Sequence, residues 1–322
     1  MFPQFAAQDE PELDLHVPER YRPSVRIGTC SWKYDSWKGL VYRRGRAYGP
    51  MDYLGDYAAI LDTVEIDQWF WSLFGDTVSL PDADVVRRYA ESVPDRFTFT
   101  VKAPNALTLT HTPVRDRSGE GGMPNAAFLD AALFERFLDR LAPLGDKLGS
   151  VMLQFGYLNR GQMPSLTAFI DRLGAFLASV SDGVCLAVEV RNPQFLRPAL
   201  YDLLSRHGAG LVLTDGYHLP PVRDVFDGVG ALPGQFCVLR LLGNDRRGIE
   251  VRTKERWDRV VEPRDAALSD IAAILGRIVE QGAEAFVNVN NHYEGSAPRT
   301  IGRLIEVLRS RSEGASPALP EV

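Results

Sequence analysis

Eight short runs of apolar and β-branched residues recur along this chain, at 25–30, 63–67, 97–102, 150–155, 185–190, 210–215, 236–241 and 285–290. Each is followed by a loop, and usually by a segment whose apolar residues return every three or four positions, as repeated βα units require. Helical spacing is clearest at 82–92, 128–142, 164–180, 198–207, 268–281 and 298–309, and several of these begin near a proline that suits a first helical turn. Eight parallel strands close a sheet into a barrel. The sequence therefore predicts an α/β protein, a (β/α)8 TIM barrel in a single domain with long βα loops. The second and sixth connections are the least regular, and the sixth helix is expected to be short or missing.

A doubly wound open sheet would need a glycine-rich phosphate turn after the first strand, and GTCSWKYDSW stands there instead. The 322 residues exceed the about 250 of a typical barrel, which leaves room for long loops and tails. The barrel is expected over 25–312, with 1–24 as an N-terminal tail and 313–322 as a flexible C-terminal tail. The first twenty residues are acidic and proline-interrupted, so no secretory signal is expected, and no run reaches membrane-spanning length. A cytoplasmic location follows as an expectation. The net charge of -6 argues against nucleic acid or an anionic membrane as a partner. Cys30, Cys185 and Cys237 are widely spaced inside or at the ends of apolar runs, which predicts buried, reduced thiols too far apart to pair.

Loops 31–50, 103–127, 216–235 and 242–267 are all longer than usual βα connections. In a parallel barrel every one of them emerges at the carboxyl face, where barrel enzymes hold their chemistry. Polar residues embedded in the strands converge on the same face: Glu65, Asp67, Lys102, Gln154, Glu189, Arg191, Asp215, Arg240, Asn288, Asn290, Asn291 and His292. Residues two apart share a face, so Glu65 goes with Asp67, Glu189 with Arg191, and Asn288 with Asn290. For any single residue a self-satisfied buried network is the simpler reading; for the set, a ligand site is favoured. Four of the five tryptophans, Trp32, Trp37, Trp69 and Trp71, lie on two neighbouring loops with Tyr34 and Phe70, suited equally to stacking on substrate and to packing the loops. His111 and His292 are the histidines placed for proton transfer.

The ordered motifs GTCSWKYDSWKG, TVEID, FTFTVKAP with LTHT, VMLQF, VEVRNP, LRLLG and VNVNNHYEG run over roughly residues 25–310 and resemble the YecE-like family, domain of unknown function 72. The resemblance implies a barrel and names no reaction; a loose kinship to sugar isomerases rests on fold alone. Asp67 with QWFW departs from the family's Glu-Ile-Asn and Phe-Tyr, and Leu242 replaces a histidine after Arg240. His292 stands where many relatives carry an acid.

These residues suggest an enzyme acting on a small anionic or polyhydroxylated substrate, with no cofactor. Glu65 and Glu189 are the expected acid and base, with His292 and His111 as further proton carriers. Lys102, Arg191 and Arg240 would hold anionic or carbonyl oxygens. Trp32, Tyr34, Asp67, Gln154, Asp215, Asn288, Asn290 and Asn291 would complete the binding surface. Two other readings compete. A metal-dependent hydrolase or sugar isomerase would gather Glu65, Asp67, Glu189, Asp215 and His292 around a divalent cation, against the repulsion of nearby cations. A non-catalytic module would bind nucleic acid or protein through the aromatic rim and Arg246–Arg247.

Overall fold

A strand covered by helices on one side and a filled lumen on the other is apolar on both faces, and the expected runs are enclosed in that way. The computed structural model of the chain describes residues 13–49, 51–75, 77–112, 122–180 and 183–314. Its strands are β1 (Val25–Thr29), β2 (Thr63–Ile66), β3 (Leu73–Phe74), β4 (Thr77–Val78), β5 (Thr98–Lys102), β6 (Leu148–Phe155), β7 (Leu186–Val190), β8 (Gly210–Gly216), β9 (Phe236–Gly243) and β10 (Glu284–Val289). Eight of these close a barrel in the order β1-β10-β9-β8-β7-β6-β5-β2, all pairs parallel, with β2 returning to β1. The remaining pair, β3 and β4, is an antiparallel hairpin in the second connection, and accounts for its irregular sequence.

The helices are α1 (Asp52–Ile60), α2 (Ala83–Glu91), α3 (Ala131–Leu141), α4 (Leu166–Leu177), α5 (Pro198–Arg206), α6 (Val222–Val229), α7 (Arg246–Thr253), α8 (Asp265–Glu280) and α9 (Ala297–Gly314). Their starts are written in local chemistry. Side-chain oxygens of Asp82, Asp130 and Ser165 accept the first free amide hydrogens of α2, α3 and α4, and Pro198 opens α5. The sixth connection does carry a helix, the short α6. The loop expected over 242–267 contains α7, which the sequence did not signal because its moderate amphipathicity is masked by four charged residues.

Three expectations are corrected. Residues 13–24 are not a free tail: Leu15, Val17 and Tyr21 are buried in the core, and Arg309 pairs with Asp14. α9 continues through Gly314, past the expected barrel limit at 312, while 1–12 and 315–322 lie outside the described residues. Cys30 and Cys237 are buried but Cys185 is exposed, since it precedes β7 at the amino-terminal rim; all three are free thiols.

Two hydrophobic cores result. The larger fills the space between barrel and helices, and the smaller joins Met152, Ala187, Val212, Phe236, Val238 and Phe286. Every member of the second stands an even number of residues before a polar strand residue, so both sets face the lumen. A β-carbon at Gly149 or Gly210 would lie 2.7 Å from the ring of Phe286 or Phe236 respectively, so two glycines make room for the two rings that floor the barrel.

The closest backbone approach predicts a stability contrast. A β-carbon on Gly28 would stand 1.7 Å from the Thr63 carbonyl oxygen and 2.9 Å from the Tyr57 hydroxyl. Gly28→Ala should cost about 3 kcal/mol or more, since backbone must move. Gly276→Ala, at an open position in α8, should instead stabilise by up to about 1 kcal/mol. Urea unfolding midpoints of the two variants check both signs.

Candidate functional site

Barrel register sets polar residues of neighbouring strands at one height. Gln154 of β6 pairs with Glu189 of β7, and Arg240 of β9 stands between Thr214 of β8 and Asn288 of β10. Arg240 is the centre of this layer. Its Nε and Nη2 donate to the two oxygens of Glu65 at 2.8 and 2.7 Å, while Nη1 donates to Glu189 Oε2 at 2.6 Å and Gln154 Oε1 at 3.0 Å. Arg191 Nε donates to the other oxygen of Glu189 at 3.0 Å. Each oxygen of both glutamates therefore receives a guanidinium hydrogen, and four of the five Arg240 donors are committed.

Arg240 is 4% exposed, Glu189 1% and Glu65 0%, so these charges persist only as a set. Burial by itself would raise the Glu189 pKa, but the charges of Arg240 and Arg191 outweigh it and hold the carboxyl below its ordinary value. Burial likewise opposes the Arg240 charge, and the two carboxylates more than compensate, raising its pKa further. The expected acid and base are thus both locked to arginines.

One step toward the mouth, the arrangement changes. Lys102 ends β5 and Asp67 follows β2, each two residues beyond a member of the inner layer and on the same face. Neither side chain makes a hydrogen bond or ion pair with another side chain among the described residues. Lys102 is buried, with its Nζ 4.0 Å from the centre of the Phe70 ring. Burial and then the Arg240 charge pull its pKa below the ordinary lysine value, against Glu65, Glu189 and Asp67. Asp67 remains open to solvent, yet enclosure by the cavity walls, and next the charge of Glu65, raises its pKa against Lys102 and Arg240. Arg191 closes the opposite side, its guanidinium 3.7 Å from the centre of the exposed Tyr217 ring. Asn288 Nδ2 donates to Thr100 Oγ1 at 2.9 Å. Cys30 also faces this cavity, but burial and Glu65 raise its thiol pKa well above the usual range, which leaves it a poor nucleophile.

The other expected residues are held elsewhere. Asp215 accepts from the Tyr293 hydroxyl at 2.6 Å. Asn290 Oδ1 accepts from the His292 backbone at 2.9 Å and lies 2.6 Å from His292 Nδ1, while His292 Nε2 meets Glu250 of α7 at 3.0 Å. Burial lowers the His292 pKa, with the Glu250 hydrogen bond opposing it. Asn291 Oδ1 accepts from the Ala297 amide at 2.9 Å and fixes the start of α9. His111 bonds Thr110 Oγ1 at 3.0 Å and bridges to Pro124, and no bond of the Arg240 cluster reaches it. Trp32 is 4% exposed and packs edge-on against Tyr89 of α2, so its face is spent on the fold. Tyr34 packs on Trp37 beside Asn291, with its pKa raised mainly by burial.

Thr100, Tyr217 and Glu250 complete these arrangements without having been singled out, and Phe70 was named only among the rim aromatics. Thr100 shares the face of Lys102 and was legible from strand period; Glu250 was hidden with its helix. Among the described residues no three His, Cys, Asp or Glu side chains converge as a metal would require: Glu65 and Glu189 are turned to arginines, and Asp215 and His292 are held elsewhere. Grooves of about 580 and 610 Å3 lie instead on the helical layer, one beside Phe128 and Arg172, the other beside Arg197 and Tyr201, and neither includes a group of the Arg240 cluster. No described helix is long and apolar enough to cross a membrane.

A family model described as "Protein of unknown function DUF72" matches residues 26–322. The UPF0759 protein YecE of Escherichia coli, from strain K12 and from O157:H7, is 27% identical over 175 residues, 53% of this chain and 50% of the relative. The chain thus spans about half the length of the curated relatives it matches. Among solved structures, a DUF72 family protein of Thermotoga maritima superposes with a TM-score of 0.60 at 21% identity, covering 89% of this chain and 99% of the other. One from Enterococcus faecalis gives 0.59 at 18% identity, covering 88% and 95%. These likenesses show the fold.

Arg240→Met should cost about 3–5 kcal/mol at pH 7, because Glu65 and Glu189 are left buried without it. In the wild type the lowered Glu189 pKa contributes stability above the unfolded value near 4.5, and this is lost as pH falls through the folded value. In the variant a buried carboxylate short of partners gains a raised pKa, so stability falls as pH rises from 4 to 7. Denaturant unfolding across that range should show the difference between the two proteins shrinking toward pH 4.

Proposed function

The chain belongs to the DUF72 family of unknown function, and from that premise we propose that it is an enzyme for a small anionic, polyhydroxylated substrate, acting by acid–base chemistry at the carboxyl face of the barrel. One observation carries this reading: Lys102 and Asp67, coupled by charge at the carboxyl ends of their strands, have no ion-pair or hydrogen-bond partners among the described side chains, while every charge beneath them is saturated. Buried or enclosed charges without internal partners are the ones a ligand can satisfy.

In this reading Lys102 and the outward edge of Arg191 hold the anionic or carbonyl oxygens, and Asp67, with its raised pKa, moves the proton. Glu65 and Glu189 pass from acid and base to positioning residues that fix Arg240 and Arg191. Asn288 and Thr100 offer polar groups to substrate hydroxyls. Tyr217 and Phe70 supply apolar faces beside the cations, so charge and ring edges frame the entrance together.

Thermal unfolding tests this with inorganic phosphate, ribose and ribose 5-phosphate as probes. A ligand at about 100 times its Kd stabilises by about 2.7 kcal/mol, roughly a 5 °C rise in Tm for a chain of this size. Ribose 5-phosphate should raise the wild-type Tm, and Lys102→Met should lose most of that rise while unfolding in its absence within about 1 kcal/mol of wild type; Arg191→Met should lose it too, but with a lower Tm throughout, because it takes a bond from buried Glu189. No response to any of the three probes would overturn the reading.

A further inference from the structure

We propose that Lys102 is an amine nucleophile, forming a Schiff base with an aldehyde or ketone carbon of the substrate in the cavity at the carboxyl face. The inference rests on the preceding reading of that cavity and adds a covalent step to it. Its basis is the placement of Lys102. A lysine at a barrel rim ordinarily reaches water or pairs with an acid. This one is 8% exposed, and it makes no ion pair or hydrogen bond among the described residues. The three carboxylates around it are differently engaged: Glu65 and Glu189 turn all four oxygens to guanidinium groups, and Asp67 stays open to solvent.

Burial and a neighbouring cation favour the neutral amine, and an aromatic ring fixes its direction of approach. The desolvated ammonium lies near Arg240, a cation that cannot give up its charge, and burial beside a second cation is a known way to free the lysine lone pair. The Phe70 ring, 4.0 Å from Nζ, closes one side of the amine and leaves the barrel mouth as the direction of approach; its face attracts the ammonium, so burial and Arg240 act against that contact. The direction of the Lys102 shift agrees with this placement.

The step balances without an oxidant or reductant. The Nζ lone pair attacks the carbonyl carbon, the C=O π pair moves to oxygen, and one N–H proton is carried to that oxygen to give a carbinolamine. Proton transfer to the hydroxyl then releases water as the C=N bond forms, and the remaining N–H proton is returned to the carrier. Asp67 is placed as that carrier, since it is the uncommitted carboxyl coupled to Lys102. Amine plus carbonyl thus become imine plus water.

Reductive trapping tests the step. The full chain is incubated at pH 7 with dihydroxyacetone phosphate, pyruvate or glycolaldehyde, each with sodium cyanoborohydride, and adducts are located by peptide mass spectrometry. The chain has four other lysines as internal references, Lys33, Lys38, Lys147 and Lys254. At least one probe should label Lys102 about tenfold faster than any reference, as a desolvated amine beside a second cation requires. Lys102→Arg should remove that label alone, and inorganic phosphate should slow it. Absence of a Lys102 adduct with all three probes, or equal labelling of all five lysines, overturns the proposal. If ribose 5-phosphate still stabilises the protein in that case, the anion site stands and only the covalent step is lost; if neither is seen, both fall.

Discussion

Arg240 braces the barrel across its lumen. It rises from β9, and the residues it bonds lie on β2, β6 and β7, none of which pairs with β9 in the sheet. Backbone ladders tie each strand to its two neighbours only, so a side chain that holds three distant strands fixes the cross-section in a way the ladders do not. The brace depends on completeness. A buried guanidinium with one carboxylate missing is worse than an apolar plug, and a saturated one gives each glutamate oxygen a single geometry. The apolar layer beneath, with Phe236 and Phe286 seated against glycines, removes water that would compete for those bonds.

The fold was legible because it depends on patterns that repeat. All eight barrel strands fall on the runs read from the sequence, with ends moved by one or two residues, since a strand covered on both faces must be apolar throughout. What escaped lacked that pattern. The hairpin of β3 and β4 has two residues per strand, too few for alternation to show. α7 carries charges on most sides, and the segment at 13–24 is buried at only three isolated positions, which no periodicity marks.

The site was legible as a set and not as a set of pairs. Period two along strands placed Glu65, Lys102, Gln154, Glu189, Arg191 and Arg240 on one face, because that rule is a property of the backbone. Which carboxylate meets which cation depends on barrel stagger and side-chain reach, and these brought both glutamates to arginine while leaving Lys102 beside Phe70. The rule also fails where a strand ends. Asn290, Asn291 and His292 follow β10 in a turn, so their directions come from the turn, the α9 start and α7. Asp215 is one residue out of phase with the inward Thr214, and turns to Tyr293.

Saturation below creates the unusual chemistry above. Glu65 and Glu189 against Arg240 and Arg191 sum to zero formal charge, so the floor adds little net field, and the mouth is governed by Lys102 and Asp67 at short range. In a cavity of reduced dielectric the cost of holding a charge rises for both, and each is displaced toward its neutral form, the lysine downward and the aspartic acid upward. The displacements are complementary. A proton leaving Lys102 for Asp67 removes two charges from an enclosed space and leaves a lone pair on nitrogen beside a carboxylic acid, the combination that carbonyl addition uses. Had either glutamate been free of its arginine, it would have paired with Lys102 and kept it an ammonium. The brace that holds the barrel closed is therefore also the reason its mouth is left with Lys102 and Asp67 uncommitted.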